Sequence, residues 1–498
     1  MQSYCDNSAR SHQAITSGFW LLASGFLILA ALAQVVFGQT APRASRETIA
    51  LTNVTVIDAT GVPPRAGMTV IIRGDRIAEI DRAGRLRVPD GARVIDAAGK
   101  FLIPGLWDMH VHNSYKEFPT LFIANGITGV RDMGGSTVEF ESLQQWRKLI
   151  SEGSMPGPRI VAAGTHVDGP KEISRAESIN TVSAEDARRA VQTLKKLGAD
   201  FIKVYTMIPR EAYFSLAAEA KKEGLSIAGH VPASVSASEA SDAGQKSMEH
   251  LMGVLYACSS REAQLRSEAA ASVAKSGMAV FVQEEIKAQI KSLDTYDPAK
   301  AKTLFARFAK NGTRQVPTLV GWRNLADSAR ADLSNDPRLK YIPDDRKQSW
   351  RNQVAGFIKS LGPEYIANKD RLLERQLAIV GAMQRAGVEI MAGTDSAAIY
   401  VFPGFSLHDE LTLLVRAGLT PMQALQAATR NPARYLGLLD SLGTIEKGKL
   451  ADLVLLDANP LEDIGNTRKI AAVIAGGRLI DKQQLNEMLA AVEAAYRM

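Results

Sequence analysis

Residues 101–112 read Phe-Leu-Ile-Pro-Gly-Leu-Trp-Asp-Met-His-Val-His. This mostly apolar run predicts a buried β-strand that ends at His110 and His112. In a strand, residues i and i+2 point to the same side, so the two imidazoles can bind one metal ion. Many His-x-His pairs are ordinary surface or core histidines, so the motif alone is a weak signal. Whether this pair binds a metal therefore depends on the other histidines.

Short apolar runs alternate with amphipathic helical stretches from Leu106 to about Gly437. This alternation is typical of parallel βα units and predicts an α/β fold with a TIM-like (β/α)8 barrel. The runs predicted as barrel strands are Leu106–His110, Gly129–Asp132, Arg159–Ala163, Phe201–Val204, Ser226–Ala228, Ser247–Glu249, Gln315–Leu319 and Glu389–Met391. The predicted helices between them include Ala184–Leu197, with Ser183 as its N-cap, Pro209–Glu223 and Asp370–Ala386.

Two further parts of the chain read as β-structure, one before and one after the barrel. The predicted strands are Thr48–Ile57, Met68–Ile72, Arg76–Ile80, Ala92–Asp96 and Lys100–Gly105 on one side, and Leu450–Leu456, Ile470–Ile474 and Arg478–Ile480 on the other. They predict a small β-sandwich built from both chain ends, residues 42–105 and 438–498. The second part finishes with a helix over Gln483–Met498.

The barrel domain, residues 106–437, contains two segments longer than a βα unit needs, near 254–313 and 320–370. Both read as charged helices. Long insertions in a barrel usually lie in the loops above the active site, so we expect a lid or a substrate wall. A remote surface element or an oligomer contact is the alternative.

Residues 1–41 are predicted to lie outside the fold. Arg10 precedes an apolar run, Phe19 to Phe37, that is typical of a secretory signal, with cleavage near Gly38. An uncleaved membrane anchor is the alternative, and a buried core helix is a third reading. We expect a periplasmic or secreted enzyme, or one anchored to the membrane and facing outside.

The composition excludes two kinds of site. The 498 residues carry a net charge of +6 from mixed acidic and basic residues, which gives no nucleic-acid stripe. The two cysteines, Cys5 and Cys258, cannot form a cysteine zinc site, and Cys5 falls in the predicted leader. The expected partner is a small-molecule substrate, and the chain is expected to form a homo-oligomer.

Four more polar residues follow predicted strands. His230 and His250 end two consecutive strands, and Asp395 follows the eighth in Gly-Thr-Asp-Ser. Histidines and a carboxylate at the catalytic end of one barrel favour a metal site over satisfied core residues or a helix cap. Lys203 ends an apolar strand, where a neutral amine could react with carbon dioxide to give a carbamate ligand. An ordinary ion pair with a nearby acid is the alternative for Lys203.

These residues resemble the amidohydrolase superfamily, and within it the imidazolonepropionase-like and Xaa-Pro dipeptidase-like (ochratoxinase-type) subgroup. The matching pieces, in order along the chain, are 103–112, 129–135, 202–205, 229–231, 249–250, 393–396, 406–411 and 443–454. The two long insertions depart from the compact βα units often found in the family, so the shape of the pocket stays open.

The resemblance implies a binuclear site for two divalent ions. His110, His112 and Asp395 would hold the first ion, His230 and His250 the second, and a carboxylated Lys203 would bridge them. A hydroxide between the ions would attack the substrate, and Asp395 would act as general base and then acid. Zinc is expected, with manganese and cobalt as alternatives.

The resemblance also implies a metal-dependent hydrolase that cleaves a C–N amide bond in a dipeptide or an N-acyl amino acid. Tyr205 is expected to hold a substrate carboxylate, or else to be a core phenol, and His166 is expected to line the pocket. Two alternatives stay open: a hydrolase of cyclic amides or imidazolone-type rings, and a metal-dead barrel that only binds its ligand.

Overall fold

The computed structural model describes residues 47–170, 177–276, 280–329 and 333–497. The chain divides into two units, Met1–Ser45 and Arg46–Met498. The predicted leader, including Cys5, lies outside the described residues, so its cleavage stays a prediction. Within the described ranges, every helix is too short or too polar to cross a lipid bilayer.

Strands and helices alternate through most of the chain. The strands are β1 (Ile49–Val56), β2 (Arg65–Arg73), β3 (Arg76–Arg82), β4 (Arg93–Asp96), β5 (Phe101–Pro104), β6 (Leu106–Val111), β7 (Ile127–Asp132), β8 (Arg159–Ala162), β9 (Val167–Asp168), β10 (Ile179–Asn180), β11 (Ile202–Val204), β12 (Ile227–Gly229), β13 (Gln245–Glu249), β14 (Arg314–Val316), β15 (Leu453–Leu456), β16 (Ile470–Ala475) and β17 (Arg478–Asp481). The α-helices are α1 (Phe118–Ala124), α2 (Thr137–Glu152), α3 (Ala184–Lys196), α4 (Arg210–Lys222), α5 (Ala237–Asp242), α6 (Val254–Ala257), α7 (Glu262–Ser276), α8 (Phe281–Ser292), α9 (Pro298–Asn311), α10 (Leu319–Ser328), α11 (Asp344–Arg385), α12 (Phe405–Arg416), α13 (Pro421–Ala427), α14 (Arg430–Tyr435) and α15 (Lys482–Ala495).

Strands from both chain ends form one eight-stranded sheet, in the order β17-β16-β15-β5-β1-β2-β3, with β4 paired to β1. The link between the two ends is the antiparallel pair of β15 and β5, where Leu455 faces Leu102. Side chains of β1, β2, β15 and β16 share one buried apolar cluster. The structure therefore joins the two predicted β segments, while the sandwich itself stays a prediction.

Strands β6 to β14, which lie in the middle of the sequence, are parallel and form two sheets, β6-β7-β8 and β10-β9-β11-β12-β13-β14. Backbone hydrogen bonds connect these sheets through residues 389–396. The backbone nitrogen of Met391 donates to the carbonyl oxygen of Gln315 in β14 (2.9 Å), and that of Asp395 donates to the carbonyl oxygen of His110 in β6 (2.7 Å). This segment thus lies between the last strand of one sheet and the first strand of the other.

Two of the predicted barrel strands differ from the structure, one by being absent as a regular strand and one by ending early. The segment Glu389–Met391 forms no regular strand, because only Ile390 makes a bridge, to Gln315. The predicted strand Gln315–Leu319 ends at Val316 because α10 begins at Leu319. In both places the apolar residues that suggested a strand are nevertheless buried, as Ile390, Met391, Val316 and Leu319 show.

Side chains that cap helices fix where several helices begin. The Ser183 side chain accepts a hydrogen bond from the backbone nitrogen of Asp186, and the Asp186 carboxylate accepts one from the backbone nitrogen of Ser183. This pair of bonds confirms the predicted N-cap of α3. The predicted helix at Asp370–Ala386 is the second half of α11, which continues through a kink where Gly362 has φ +65° and Pro363 follows. The predicted insertions are helical in their described residues, as α6 to α9 and α10 to α11.

His408 on α12 is a buried packing residue rather than part of the candidate site. Its Nδ1 lies 2.9 Å from Thr467 Oγ1 and its Nε2 lies 3.1 Å from the carbonyl oxygen of Asn125. Burial, together with the charge of Arg468, lowers the pKa of His408 to about 4. Between about pH 4 and pH 6.5 this imidazole is therefore neutral in the folded chain but protonated in the unfolded chain.

We expect His408 to make folding less stable in acid. Below a pH of about 6.5 the His408 imidazole is protonated in the unfolded chain, but in the folded chain it is protonated only below about pH 4. The free energy of unfolding therefore falls by about 3 kcal/mol as the pH is lowered across that interval. The test measures the free energy of unfolding against pH, by urea denaturation, for the wild type and for His408→Gln. The difference between the two curves isolates the contribution of His408. Thr467→Val should lower stability without changing the slope; equal slopes for wild type and His408→Gln would contradict the assignment.

Candidate metal centre

Four of the candidate metal residues lie near the carboxyl ends of parallel strands or directly after them. His110 is the last residue but one of the fully buried strand β6, and Lys203 is the central residue of the three-residue strand β11. His230 and His250 follow β12 and β13 by one residue. Because the carboxyl ends of parallel strands meet at one edge of the sheet, the fold brings these four side chains together.

Asp395 contacts three of the histidines. Its Oδ1 lies 3.2 Å from His112 Nε2 and 3.5 Å from His110 Nε2, and its Oδ2 lies 3.9 Å from His250 Nδ1. One ligand atom from each of His110, His250 and Asp395 falls within 4.8 Å of the other two, which suits a shared metal ion. Burial raises the pKa of Asp395, but His250, His112 and Lys203 together bring it below its ordinary value.

The Nδ1 atoms of His110 and His112 already have hydrogen-bond partners. His110 Nδ1 lies 2.8 Å from Glu249 Oε2, and His112 Nδ1 lies 2.7 Å from the carbonyl oxygen of Gly134. Both partners accept hydrogen bonds, so the tautomer that binds a metal through Nε2, with its proton on Nδ1, fits both positions. This is the arrangement in which neighbouring residues orient a histidine to bind a metal.

Threonine hydroxyls contact the Nδ1 atoms of His230 and His250. Thr206 Oγ1 lies 2.8 Å from His230 Nδ1, and Thr318 Oγ1 lies 2.8 Å from His250 Nδ1. Burial, with Lys203 and other nearby cations, holds the pKa of His230 well below its usual range and lowers that of His250 to about 4. Both rings are therefore neutral near pH 7, which is the form that binds metals.

The backbone around the site takes unusual conformations. His250, Thr318 and Asp395 have φ of +63°, +47° and +64°, in the left-handed region that non-glycine residues rarely adopt. A Cβ at Gly393 would lie 2.4 Å from Val316 Cγ1 and 2.9 Å from the backbone nitrogen of His110. Only glycine thus allows the loop bearing Asp395 to pack against β6. Strain of this kind accumulates where the surrounding fold holds residues in place for function.

A buried ion pair beneath the histidines was not foreseen from the sequence. Arg131 on β7 donates from Nη2 to both oxygens of Glu249, at 2.9 and 3.0 Å, and neither side chain is exposed. Ser247 also donates to Glu249, and Arg131 Nε donates to the carbonyl oxygen of Met109. The sequence did offer one signal, because Arg131 and Glu249 are charged residues inside otherwise apolar strands. A lone buried charge is too costly, so each of them needs a partner of opposite charge.

A second buried contact ties β6 to the loop that carries Asp395. Asp108 accepts hydrogen bonds from the backbone nitrogen (3.0 Å) and hydroxyl (2.7 Å) of Thr394 and from the backbone nitrogen of His110 (3.2 Å). Burial raises the pKa of Asp108 to about 7, against the effect of these donors. Asp108 therefore fixes the separation between two of the candidate ligands, a role the sequence did not reveal.

A cavity of about 400 Å³ opens onto the cluster, and His112, Asp395, His166 and Tyr205 all line it. The His166 ring lies 5.3 Å from the Tyr205 ring, which lies 4.2 Å from the ring of His230. The structure thus brings both predicted substrate contacts to the cavity, while their contact with a substrate stays a prediction. Arg346 and Gln353 of α11 also line it, so the second insertion supplies part of the cavity wall.

The residues present fit a divalent metal ion. His110 Nε2 is fully buried and makes no hydrogen bond with any described residue, although a buried imidazole nitrogen normally has a partner. Its neighbours are imidazoles and a carboxylate, which are ordinary ligands of zinc and similar ions. A metal ion would satisfy this nitrogen.

Comparison with known proteins agrees with the geometry. The sequence profile of the amidohydrolase family matches residues 101–480, which is most of the chain. The chain belongs to the amidohydrolase family. The resemblance seen in the sequence is therefore confirmed, and the protein is a hydrolase that acts on carbon–nitrogen bonds.

Individual relatives within or near this family are distant. The Aspergillus niger ochratoxinase is 23% identical over 445 residues, covering 76% of this chain and 75% of the relative. The Pseudomonas putida imidazolonepropionase is 26% identical over 381 residues, covering 73% and 81%. A solved Xaa-Pro dipeptidase with bound methionine is 22% identical, covers 87% of this chain and 100% of its own, and has a TM-score of 0.64. At such identity the structural likeness supports the fold alone.

Proposed function

We propose that this amidohydrolase cleaves the amide bond of an N-acyl amino acid or a dipeptide at a centre of two divalent metal ions. The observation that carries the proposal is the cluster of four histidines, Asp395 and a buried lysine at one end of the parallel strands. The solved Xaa-Pro dipeptidase is named for a peptide substrate, which agrees with this choice of substrate class, while its structural likeness supports the fold alone.

His110, His112 and Asp395 would hold one ion, and His230 and His250 the other, with Lys203 between them as a carbamate. Lys203 is 1% exposed, and its charge acts on His110, His230 and His250 alike, which supports a central position. When bound, divalent ions polarise a substrate carbonyl and activate water for attack. Zinc remains our first choice, with manganese and cobalt as alternatives.

Asp395 would move the proton. Its carboxylate lines the cavity and contacts His112, so it is both held in place and open to a substrate. It would take a proton from the attacking water and return the proton to the leaving nitrogen, as general base and then general acid. Tyr205 and His166, which share the cavity, would orient the substrate.

The parallel strands would form a closed (β/α)8 barrel around this centre. The supporting observations are the backbone bonds from residues 389–396 to Gln315 on one side and to His110 on the other. Residues 1–41 would direct export and residues 106–437 would form the barrel domain. A mature protein whose first residue is Met1 would contradict cleavage of the leader.

We expect metal-loaded protein to release the amino acid from N-acyl amino acids or dipeptides and to lose this activity when the metal is chelated. The test is metal content per chain, measured with turnover on a panel of both substrate classes and of hydantoins and imidazolone rings. Activity confined to the rings would favour the imidazolonepropionase-like alternative, which the Pseudomonas putida relative supports. Less than one ion per chain after loading would favour a barrel that only binds its ligand.

A further inference from the structure

The second insertion contributes a positive charge to the cavity. Helix α11 begins at Asp344, and its residues Arg346 and Gln353 line the same cavity as Asp395. Among the described residues that line this cavity, Arg346 is the only lysine or arginine, whereas the carboxylates of Asp132, Glu139, Glu177 and Asp395 line it as well. Helix α11 therefore supplies a lone cation in an otherwise acidic setting.

The start of α11 is fixed beside the metal loop. Trp350 is fully buried, and its Nε1 donates to the carbonyl oxygen of Ala397, two residues after Asp395. Its ring packs on Tyr400 at 5.3 Å. Residues 346, 350 and 353 are spaced i, i+4 and i+7, so they share one face of the helix. The anchor that buries Trp350 therefore also aims Arg346 and Gln353 at the cavity.

Arg346 has no anionic partner in the described part of the chain. Its Nε is buried without a hydrogen-bond partner, whereas the rest of the guanidinium contacts Tyr115, through a side-chain hydrogen bond and at 5.6 Å from the ring centre. The nearest acid in sequence, Asp345, accepts a hydrogen bond from the Tyr115 hydroxyl at 2.6 Å. A buried guanidinium nitrogen normally has an acceptor, so this one is available for a ligand.

We propose that Arg346 binds the carboxylate of the substrate and makes the enzyme selective for amides that end in a free carboxylate. The inference rests on the proposed function and narrows its substrate class. A guanidinium binds a carboxylate through two parallel hydrogen bonds, which suits recognition of an amino-acid terminus. The four carboxylates that line the rest of the cavity repel a substrate carboxylate. The substrate therefore enters with its amide toward the histidines and its carboxylate toward α11.

The test compares N-benzoyl-L-phenylalanine with its C-terminal primary amide, following benzoate release from the metal-loaded enzyme. The wild type is expected to prefer the acid. Arg346→Gln should lower kcat/KM for the acid by about 30-fold to 100-fold, mainly through KM, and should change that for the amide by less than about threefold. Arg346→Lys should retain part of the preference for the acid, because lysine keeps the positive charge but cannot make the two parallel hydrogen bonds of a guanidinium. Arg351→Gln removes the same charge from an exposed position nearby and should leave the preference unchanged.

An acid preference that survives Arg346→Gln would overturn the inference while leaving the proposed function intact. If the wild type releases benzoate from neither compound, the proposed function is in doubt, and calorimetric binding of the same two compounds decides about Arg346. Tighter binding of the acid that is lost in Arg346→Gln supports the inference. Equal binding of acid and amide by the wild type, or no binding of either, overturns it.

Discussion

Replacement of Asp395 by asparagine is expected to lower kcat by about a thousandfold, within the range that general acid–base catalysis contributes. Asparagine has nearly the same shape and keeps one oxygen near His112, which lies 3.2 Å from Asp395 Oδ1. It cannot accept a proton from water and pass it to the leaving nitrogen. The loss should therefore appear in kcat more than in KM, because the carboxylate acts in the chemical step.

Metal content has to be measured in the same preparation, since Asp395 is also a proposed ligand. Asp440→Asn, at an exposed site, serves as the matched control and should retain full activity and metal. If Asp395→Asn keeps both ions and full turnover, the proton-transfer role is wrong. If it loses metal, the remaining activity must be compared after reloading at a saturating ion concentration.

The pattern of apolar runs predicted where the parallel strands lie and which polar residues follow them. His230 and His250 were found because each comes at the end of such a run, and strand ends converge in a parallel fold. Periodicity fixes the location of a strand but carries little information about its neighbours across the sheet. The sequence predicted that the late strands join the early ones, and β15 does pair with β5 in one sheet.

The residues behind the histidines could not be predicted in the same way. Thr206 and Thr318 hold His230 and His250 through hydroxyls that lie 24 and 68 residues away along the chain. Such contacts depend on three-dimensional packing and on backbone conformations such as the φ of +47° at Thr318. The role of Arg346 was hidden likewise, because only the position of Trp350 shows which face of α11 meets the cavity.

The largest effect on stability is expected at Arg131. In Arg131→Met, Glu249 would remain in a fully buried position without its cation, which is expected to lower the free energy of unfolding by about 3–5 kcal/mol. Glu249 also holds His110 Nδ1 at 2.8 Å, so metal affinity should fall by about 10-fold to 100-fold. Denaturation of chelated protein separates the first effect from the stabilisation that a bound metal adds.

The double variant Arg131→Met, Glu249→Gln distinguishes an unpaired charge from lost packing. Glutamine keeps one oxygen to accept from His110 Nδ1, its NH2 group can donate to the Ser247 hydroxyl, and the buried charge is removed, so the double variant should be more stable than Arg131→Met alone. Arg188→Met breaks an ion pair with Glu185 on the exposed side of α3 and should change stability little. If instead the double variant is no more stable than the single one, the cost lies in the packing of Arg131 against Phe201 and Tyr435, whose rings lie 5.5 and 5.1 Å from its guanidinium carbon. In that case Arg131 supports the candidate metal centre through the packing of side chains beneath it, and Glu249 would orient His110 without depending on its charge partner.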